Sequence, residues 1–138
     1  MDVLVLIGRI MFVALFLGSG IAHLTATEAM SGYAKSKGVP SARLAVQASG
    51  VLLLVGAIMV LLGLWIDLGA LLLFVFLVPT ALLMHAFWKE SDPMARQMEM
   101  VQFQKDLALA GAALFLFAFT AYLGNDLGLT ITGPLFSL

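Results

Sequence analysis

Polar positions in this chain fall into two main clusters, and apolar runs long enough to cross a bilayer flank each of them. The runs occupy about residues 3–24, 44–64, 68–87 and 106–123, and the polar intervals occupy 25–43 and 88–105. A helix needs about 20 apolar residues to span the hydrocarbon core, so each run predicts one membrane-spanning helix. The connection at Trp65-Ile66-Asp67 is so short that the second and third spans must be antiparallel neighbours. The predicted fold is all-α, an integral membrane antiparallel four-helix bundle forming a single domain over 1–138.

Within the runs, the spacing of the exceptions carries further information. Arg9 and His23 are fourteen residues apart, close to four helical turns. They share a face with Phe12, Phe16 and Gly20, which predicts the inward side of the first span. Small residues at Ala14, Gly18 and Ala22, at Ser49, Gly56 and Gly63, and at Ala108, Gly111 and Ala112 predict seams of close helix packing. Pro79 should kink the third span, with Thr80 helping to satisfy the freed backbone. In the first polar interval, residues 29–36 suggest a short interfacial helix, Tyr33 suits a headgroup anchor, and Ser41 suits an N-cap. In the second, 91–100 reads as a separate short helix capped by Ser91 or Asp92, with Met94, Met98 and Met100 on its apolar side. Residues 124–138 form a tail too short to cross again.

Composition confirms the solvent. The chain is 62% hydrophobic and 11% charged, against about 25% charged in soluble domains. Only Asp2 precedes the first apolar run, without the positive start of a signal peptide, so that run is read as a retained span. The absence of cysteine excludes thiol redox chemistry and thiolate metal sites supplied by this chain. No basic tract argues for nucleic acid. Lys35, Lys37, Arg43, Lys89, Arg96 and Lys105 all fall in the two polar intervals or at their edges. The positive-inside rule then makes 25–43 and 88–105 cytoplasmic loops and both termini extracytoplasmic, in a multi-pass protein of the cell (inner) membrane.

Few residues carry candidate chemistry. Arg9 is the one charge well inside a run; it faces either a bundle interior or snorkels outward toward Asp67 or Asp126. His23 and His85 fall at the same end of their helices. Paired imidazoles there suit a haem or metal, hydrogen bonds to a quinone carbonyl, or a polar pocket for a lipid headgroup; alternatively they bond loop backbone and never meet. No third ligand accompanies them, so no metal is assigned and quinone stands ahead of haem. With Gln47 and Trp88 they outline a candidate cofactor-binding pocket. Lys89, Arg96, Glu99, Lys105 and Asp106 form a polar cluster suited to docking a partner, with Asp106 also explained as a charge at the positive end of a helix dipole. No catalytic constellation emerges, and the chain does not read as an enzyme by itself.

The stretch HAFWKESDPMARQMEMVQFQKDLALAG, residues 85–111, resembles the third-loop signature of the DoxX family. His85 and Trp88 match the His and Trp that end helix 3 in that family, and 103–111 matches the F-x-K-N-L-A-L-x-G that opens helix 4. Arg9, Gly18-Ser19-Gly20, Gly38-Val39-Pro40, Gly56, Gly63, and Gly133-Pro134 with Ser137-Leu138 also resemble family positions. The chain departs from the pattern in three places. The region near Leu52 lacks the helix 2 glutamate of many members, His23 stands where a lysine is common, and Asp106 replaces an asparagine. The resemblance implies a four-helix membrane protein linked with redox systems. Some relatives are subunits of a thiosulfate:quinone oxidoreductase, and others tie soluble oxidative-stress enzymes to the membrane. Its expected partners are the lipid bilayer, soluble redox enzymes and a second copy of the chain. Three functions follow: a redox-associated subunit or scaffold that recruits soluble oxidoreductases through its cytoplasmic loops, a quinone-interacting oxidoreductase component, and, ranked last for want of an intramembrane carboxylate, a small transporter.

Overall fold

A computed structural model describes residues 1–136. Among them it contains five helices and no strand: α1 Asp2–Thr25, α2 Thr27–Ser36, α3 Ala42–Leu62, α4 Ile66–Met84 and α5 Pro93–Leu123. Two short 3-10 turns, Phe87–Lys89 and Gly124–Asp126, flank α5. Four of the helices, α1, α3, α4 and α5, are long and apolar enough to cross a membrane. They run antiparallel, so α2 and the 85–92 connection share one end of the bundle, the loop end. The 63–65 turn and both chain ends share the other, the tail end.

The last helix departs from expectation. Instead of a short helix, a loop and a span beginning at 106, α5 is continuous for 31 residues. Its start is fixed locally: the Asp92 side chain accepts from the Ala95 N–H at 2.7 Å, and Pro93 sits at the first helical position. From there to Ala110 no glycine or proline interrupts a run of good helix formers. At 1.5 Å per residue it is about 46 Å long, well beyond the ~30 Å hydrocarbon core. The interval expected as a loop over 88–105 is therefore mostly the first turns of a helix longer than the hydrocarbon core. Met94 and Met98 are exposed on those turns rather than packed.

Helix α1 packs on α3, α3 on α4 and α4 on α5, while α1 and α5 make no extensive contact among the described residues. The core runs through Val13, Phe16, Leu53, Ala57, Leu73, Leu77, Ala110 and Ala113. Glycine sets the crossings. A Cβ on Gly56 would lie 3.0 Å from the Gly69 carbonyl oxygen, and one on Gly69 would lie 2.9 Å from the Gly56 carbonyl oxygen, so the α3 and α4 backbones touch there. Of the predicted seams, Gly56 packs as expected. Ala14 and Gly18 are exposed, and it is Gly20 that meets α3. On α5 the packed small residues are Ala110 and Ala113, whereas Ala108, Gly111 and Ala112 face out. Thr80 hydroxyl bonds the Phe76 carbonyl at 2.8 Å, one residue beyond the carbonyl that Pro79 leaves free. Ser41 precedes α3 but makes no side-chain cap.

The tail folds back across its end of the bundle. The Ile131 and Thr132 N–H groups both donate to the Gly63 carbonyl at 3.0 Å, the Trp65 N–H donates to the Thr132 hydroxyl at 2.8 Å, and the Phe136 N–H donates to Asp67 at 2.6 Å. Gly63 itself takes a left-handed conformation, φ 74°, to end α3, where any side chain would be strained and would strike Thr130. Ser137 and Leu138 of the expected tail signature lie outside the described residues.

Candidate functional site

At the tail end, Arg9 is buried, 3% exposed. Its Nε donates to the Val60 carbonyl at 2.8 Å, Nη1 to the Leu129 carbonyl at 2.8 Å, and Nη2 to the Leu61 carbonyl. Val60 and Leu61 belong to the last turn of α3, whose carbonyls have no partner within the helix and carry the negative end of its dipole. Arg9 does not snorkel to Asp67 or Asp126; it closes a helix end with main-chain acceptors. Asp67, read from sequence as part of a turn, is fully buried, and one of its oxygens has no partner among the described residues.

The loop end is built differently. A cavity of about 680 Å³ lies there, partly open, with walls from all five helices. Most of its lining is apolar, including Phe16, Val75, Phe76, Pro79 and Leu83, and α2 covers it with Met30, Tyr33 and Ala34. The Gly20–Gly50 crossing of α1 and α3 brings His23 to its wall. His23 Nδ1 lies 2.8 Å from the Ser49 hydroxyl and 3.2 Å from the Val46 carbonyl, and its ring meets Phe76 edge-on at 5.9 Å.

His85 lines the same cavity just past the end of α4. Its Nδ1 donates to Glu99 at 2.7 Å, and its Nε2 lies 3.6 Å from Asp106. Glu99 is the hub of this end: it also accepts from the Tyr33 hydroxyl at 2.7 Å and from Lys37 Nζ at 3.0 Å. Lys37 reaches Glu90 as well, at 2.8 Å, and lies over the Tyr33 ring at 5.4 Å. Lys105 bonds Gln102 at 2.7 Å and pairs with Asp106 at 3.3 Å. These contacts tie α2 to α5 across the mouth of the cavity. The hydrogen bonds to Glu90, then those to Glu99, hold the Lys37 ammonium well above the usual lysine range. Burial, then Glu99, pushes the Tyr33 phenol up.

Several sequence expectations change. Of the four predicted pocket residues, His23 and His85 line one cavity, but Gln47 and Trp88 do not. Gln47 follows the inward-facing Val46 and is turned about 100° round the helix to the exposed side. Trp88 is half exposed and packs on Phe87 at 5.2 Å and Phe103 at 5.7 Å. Of the five predicted docking charges, Lys89 and Arg96 are exposed. Glu99 and Asp106 are turned inward, with side chains 15% and 6% exposed, and Lys105 shares the cavity wall. Because α5 begins at Pro93, Asp106 lies deep in its helix, and the dipole explanation for it fails. It is a buried carboxylate beside His85. The sequence reading missed the roles of Ser49, Tyr33, Lys37 and Glu90. Ser49 stood out only as a small residue, although its place opposite His23 on the inward side of α3 was a usable signal.

An apolar chamber with a few convergent polar groups can bind and orient a small lipid-soluble molecule, and His85 lies between Glu99 and Asp106 in its wall. The DoxX family profile matches residues 4–86. The match takes in Arg9, Gly18-Ser19-Gly20, Gly38-Val39-Pro40 and His85, and it ends before 103–111, the stretch that opened the resemblance at the sequence level. No curated protein matches the chain, and no solved structure matches it.

Proposed function

The chain belongs to the DoxX family, and from that premise we propose that it binds a membrane-soluble ring compound of the quinone class between its spans. The observation that carries this reading is the cavity of about 680 Å³ with His23 and His85 in its wall. Its volume falls within the ~300–1,000 Å³ of ordinary ligand sites. Its apolar lining suits a ring and tail drawn from the bilayer, and its imidazoles suit the ring's oxygens. With the loop end in the cytoplasm, as the lysine and arginine asymmetry favours, the polar groups of the ligand face the compartment of soluble redox enzymes. The test is the absorption spectrum and lipid extract of the gently purified protein, which should contain a quinone or its reduced form. A His23→Ala, His85→Ala double variant should lose it; unchanged quinone content in that variant would remove the cavity from the reading.

A second reading rests on a separate observation. Lys89 and Arg96 are exposed at the loop end, and neither forms an ion pair among the described residues. They suit a redox-associated subunit that recruits an acidic soluble oxidoreductase. Charge reversal at both positions should release such a partner in pull-downs from native membranes, and recovery of no partner by the unaltered protein would remove this reading's support.

A further inference from the structure

We infer that the cavity selects its ligand by a hydroxyl group donated to His23 Nε2, and so prefers a phenol or hydroquinone over the corresponding quinone. The inference rests on the ligand reading above and deepens it. The Val46 carbonyl oxygen can only accept, and two groups lie on it: the Ser49 hydroxyl at 2.9 Å and His23 Nδ1 at 3.2 Å. The single Ser49 proton is donated to Val46, so across the 2.8 Å contact with His23 the Ser49 oxygen accepts. Both contacts therefore require the imidazole proton on Nδ1. The opposite tautomer would set the bare Nδ1 lone pair against the carbonyl and leave one of the two contacts without a hydrogen.

No carboxylate pairs with His23 among the described residues, so nothing there holds a charged ring, and a neutral imidazole protonated at Nδ1 has a bare acceptor at Nε2. The residue is 9% exposed, yet Nε2 has no protein partner among the described residues and is not sealed in the packing. His23 is in the cavity wall, with Phe76 holding its ring edge-on. A ligand carbonyl placed there would set acceptor against acceptor, while a hydroxyl completes the bond. The sequence-level expectation of a quinone carbonyl thus gives way to a hydroxyl donor. The flat Phe76 and Pro79 surfaces beside it suit a ring better than a flexible chain.

The full chain in lipid nanodiscs is titrated without oxygen against durohydroquinone, duroquinone, the dimethyl ether of durohydroquinone, and dodecanol, by calorimetry. Durohydroquinone should bind about tenfold tighter than the quinone and the ether, the size of one net hydrogen bond. Duroquinone binding as tightly, or the ether matching the hydroquinone, overturns the inference while leaving the quinone-class site standing. Dodecanol matching the hydroquinone overturns the assignment of a ring. Binding of none of the four takes down both the inference and the reading beneath it. In His23→Phe the preference for the hydroquinone should collapse to within about twofold, and its survival overturns the role of His23. Nitrogen NMR of His23 in the unaltered protein tests the tautomer without any variant: a protonated Nε2 in the ligand-free state overturns the inference.

Discussion

The two ends of this bundle solve the same problem, buried charge, by opposite means. At the tail end a single guanidinium is held by three backbone carbonyls, and the chain's own C-terminal segment folds over it. At the loop end, Tyr33, Lys37, His85, Lys105 and three carboxylates hold one another through side chains around a cavity. Main-chain acceptors cannot move without unwinding a helix, so the tail end is a fixed closure. Side-chain pairs exchange partners by rotation, so the loop end is adjustable. The proposed ligand site lies at the adjustable end, where the cavity is.

The sharpest way to break this contrast is at Arg9. Arg9→Met keeps much of the volume but strips the donor from the Val60, Leu61 and Leu129 carbonyls. Each buried acceptor left without a partner costs about 1–3 kcal/mol, so the variant should lose roughly 3 kcal/mol or more, read as a large drop in thermal unfolding temperature in detergent. Arg9→Lys should fall between, because an ammonium cannot span three carbonyls as a planar guanidinium does. A variant as stable as the parent would show that the tail end is not fixed by this residue.

The inward face of the first span is legible in the sequence, and the closures at both ends of the bundle are not. The inward face of α1 followed from periodicity alone, since Arg9, Phe16, Gly20 and His23 repeat at helical spacing along one side. Gly63 was identifiable as a seam residue, although its left-handed cap was not. At the loop end, depth is legible but direction round the helix is not: Gln47 shares the depth of His23 yet faces the exposed side of α3. The start of α5 was missed for a physical reason. Charges at Arg96, Glu99 and Lys105 suggest a solvated loop, whereas here they decorate a helix that outruns the bilayer. The Asp92-Pro93 start signal is present in the sequence, but nothing local to it encodes the 31-residue length of the helix it opens. The bond from Tyr33 to Glu99 joins residues far apart in the chain, and no local pattern encodes it. The small residues of α5 are so frequent that composition alone does not separate Ala110 and Ala113 from Ala108, Gly111 and Ala112.

The next largest effect should come from Glu99→Gln, which keeps the shape of the hub and removes its charge. Glu99 accepts from three partners with its side chain 15% exposed, so overall stability should fall by roughly 2 kcal/mol, the scale of a lost hydrogen bond to a charged group. The local effect should be larger: hydrogen exchange in α2 should accelerate, because α2 is joined to α5 through Tyr33 and Lys37. Unchanged exchange in α2 would show that packing on α3, not Glu99, holds the cover in place.

Titration gives a gentler version of the same test. The Lys37 ammonium and the Tyr33 phenol both have raised pKa values in the folded protein. For groups shifted upward, the stabilisation is complete below the unfolded values, about 10 for both residue types. It is lost only as pH rises through the folded ones. The contacts of these two groups should therefore hold through neutral pH and weaken only in the alkaline range, seen as a loss of α2 protection relative to the intrinsic exchange rate at each pH, beginning above about pH 10. Loosening that appears only in the Lys37→Met variant, and never with alkali, would uncouple the cover from these protonation states.

The smallest effect belongs to the charges that neither end uses internally. Lys89 and Arg96 are exposed and outside the Glu99 network, so Lys89→Glu and Arg96→Glu should each change stability by less than about 0.5 kcal/mol. Neither should alter hydroquinone binding, since neither residue lines the cavity. Their effect should be confined to capture of an acidic partner and should fade with added salt, because screening acts within about 10 Å at 0.1 M ionic strength. If reversing either charge changes ligand affinity as strongly as His23→Phe does, the cavity and the outer surface are coupled. The loop end would then have to be treated as one unit rather than a site beside a docking face.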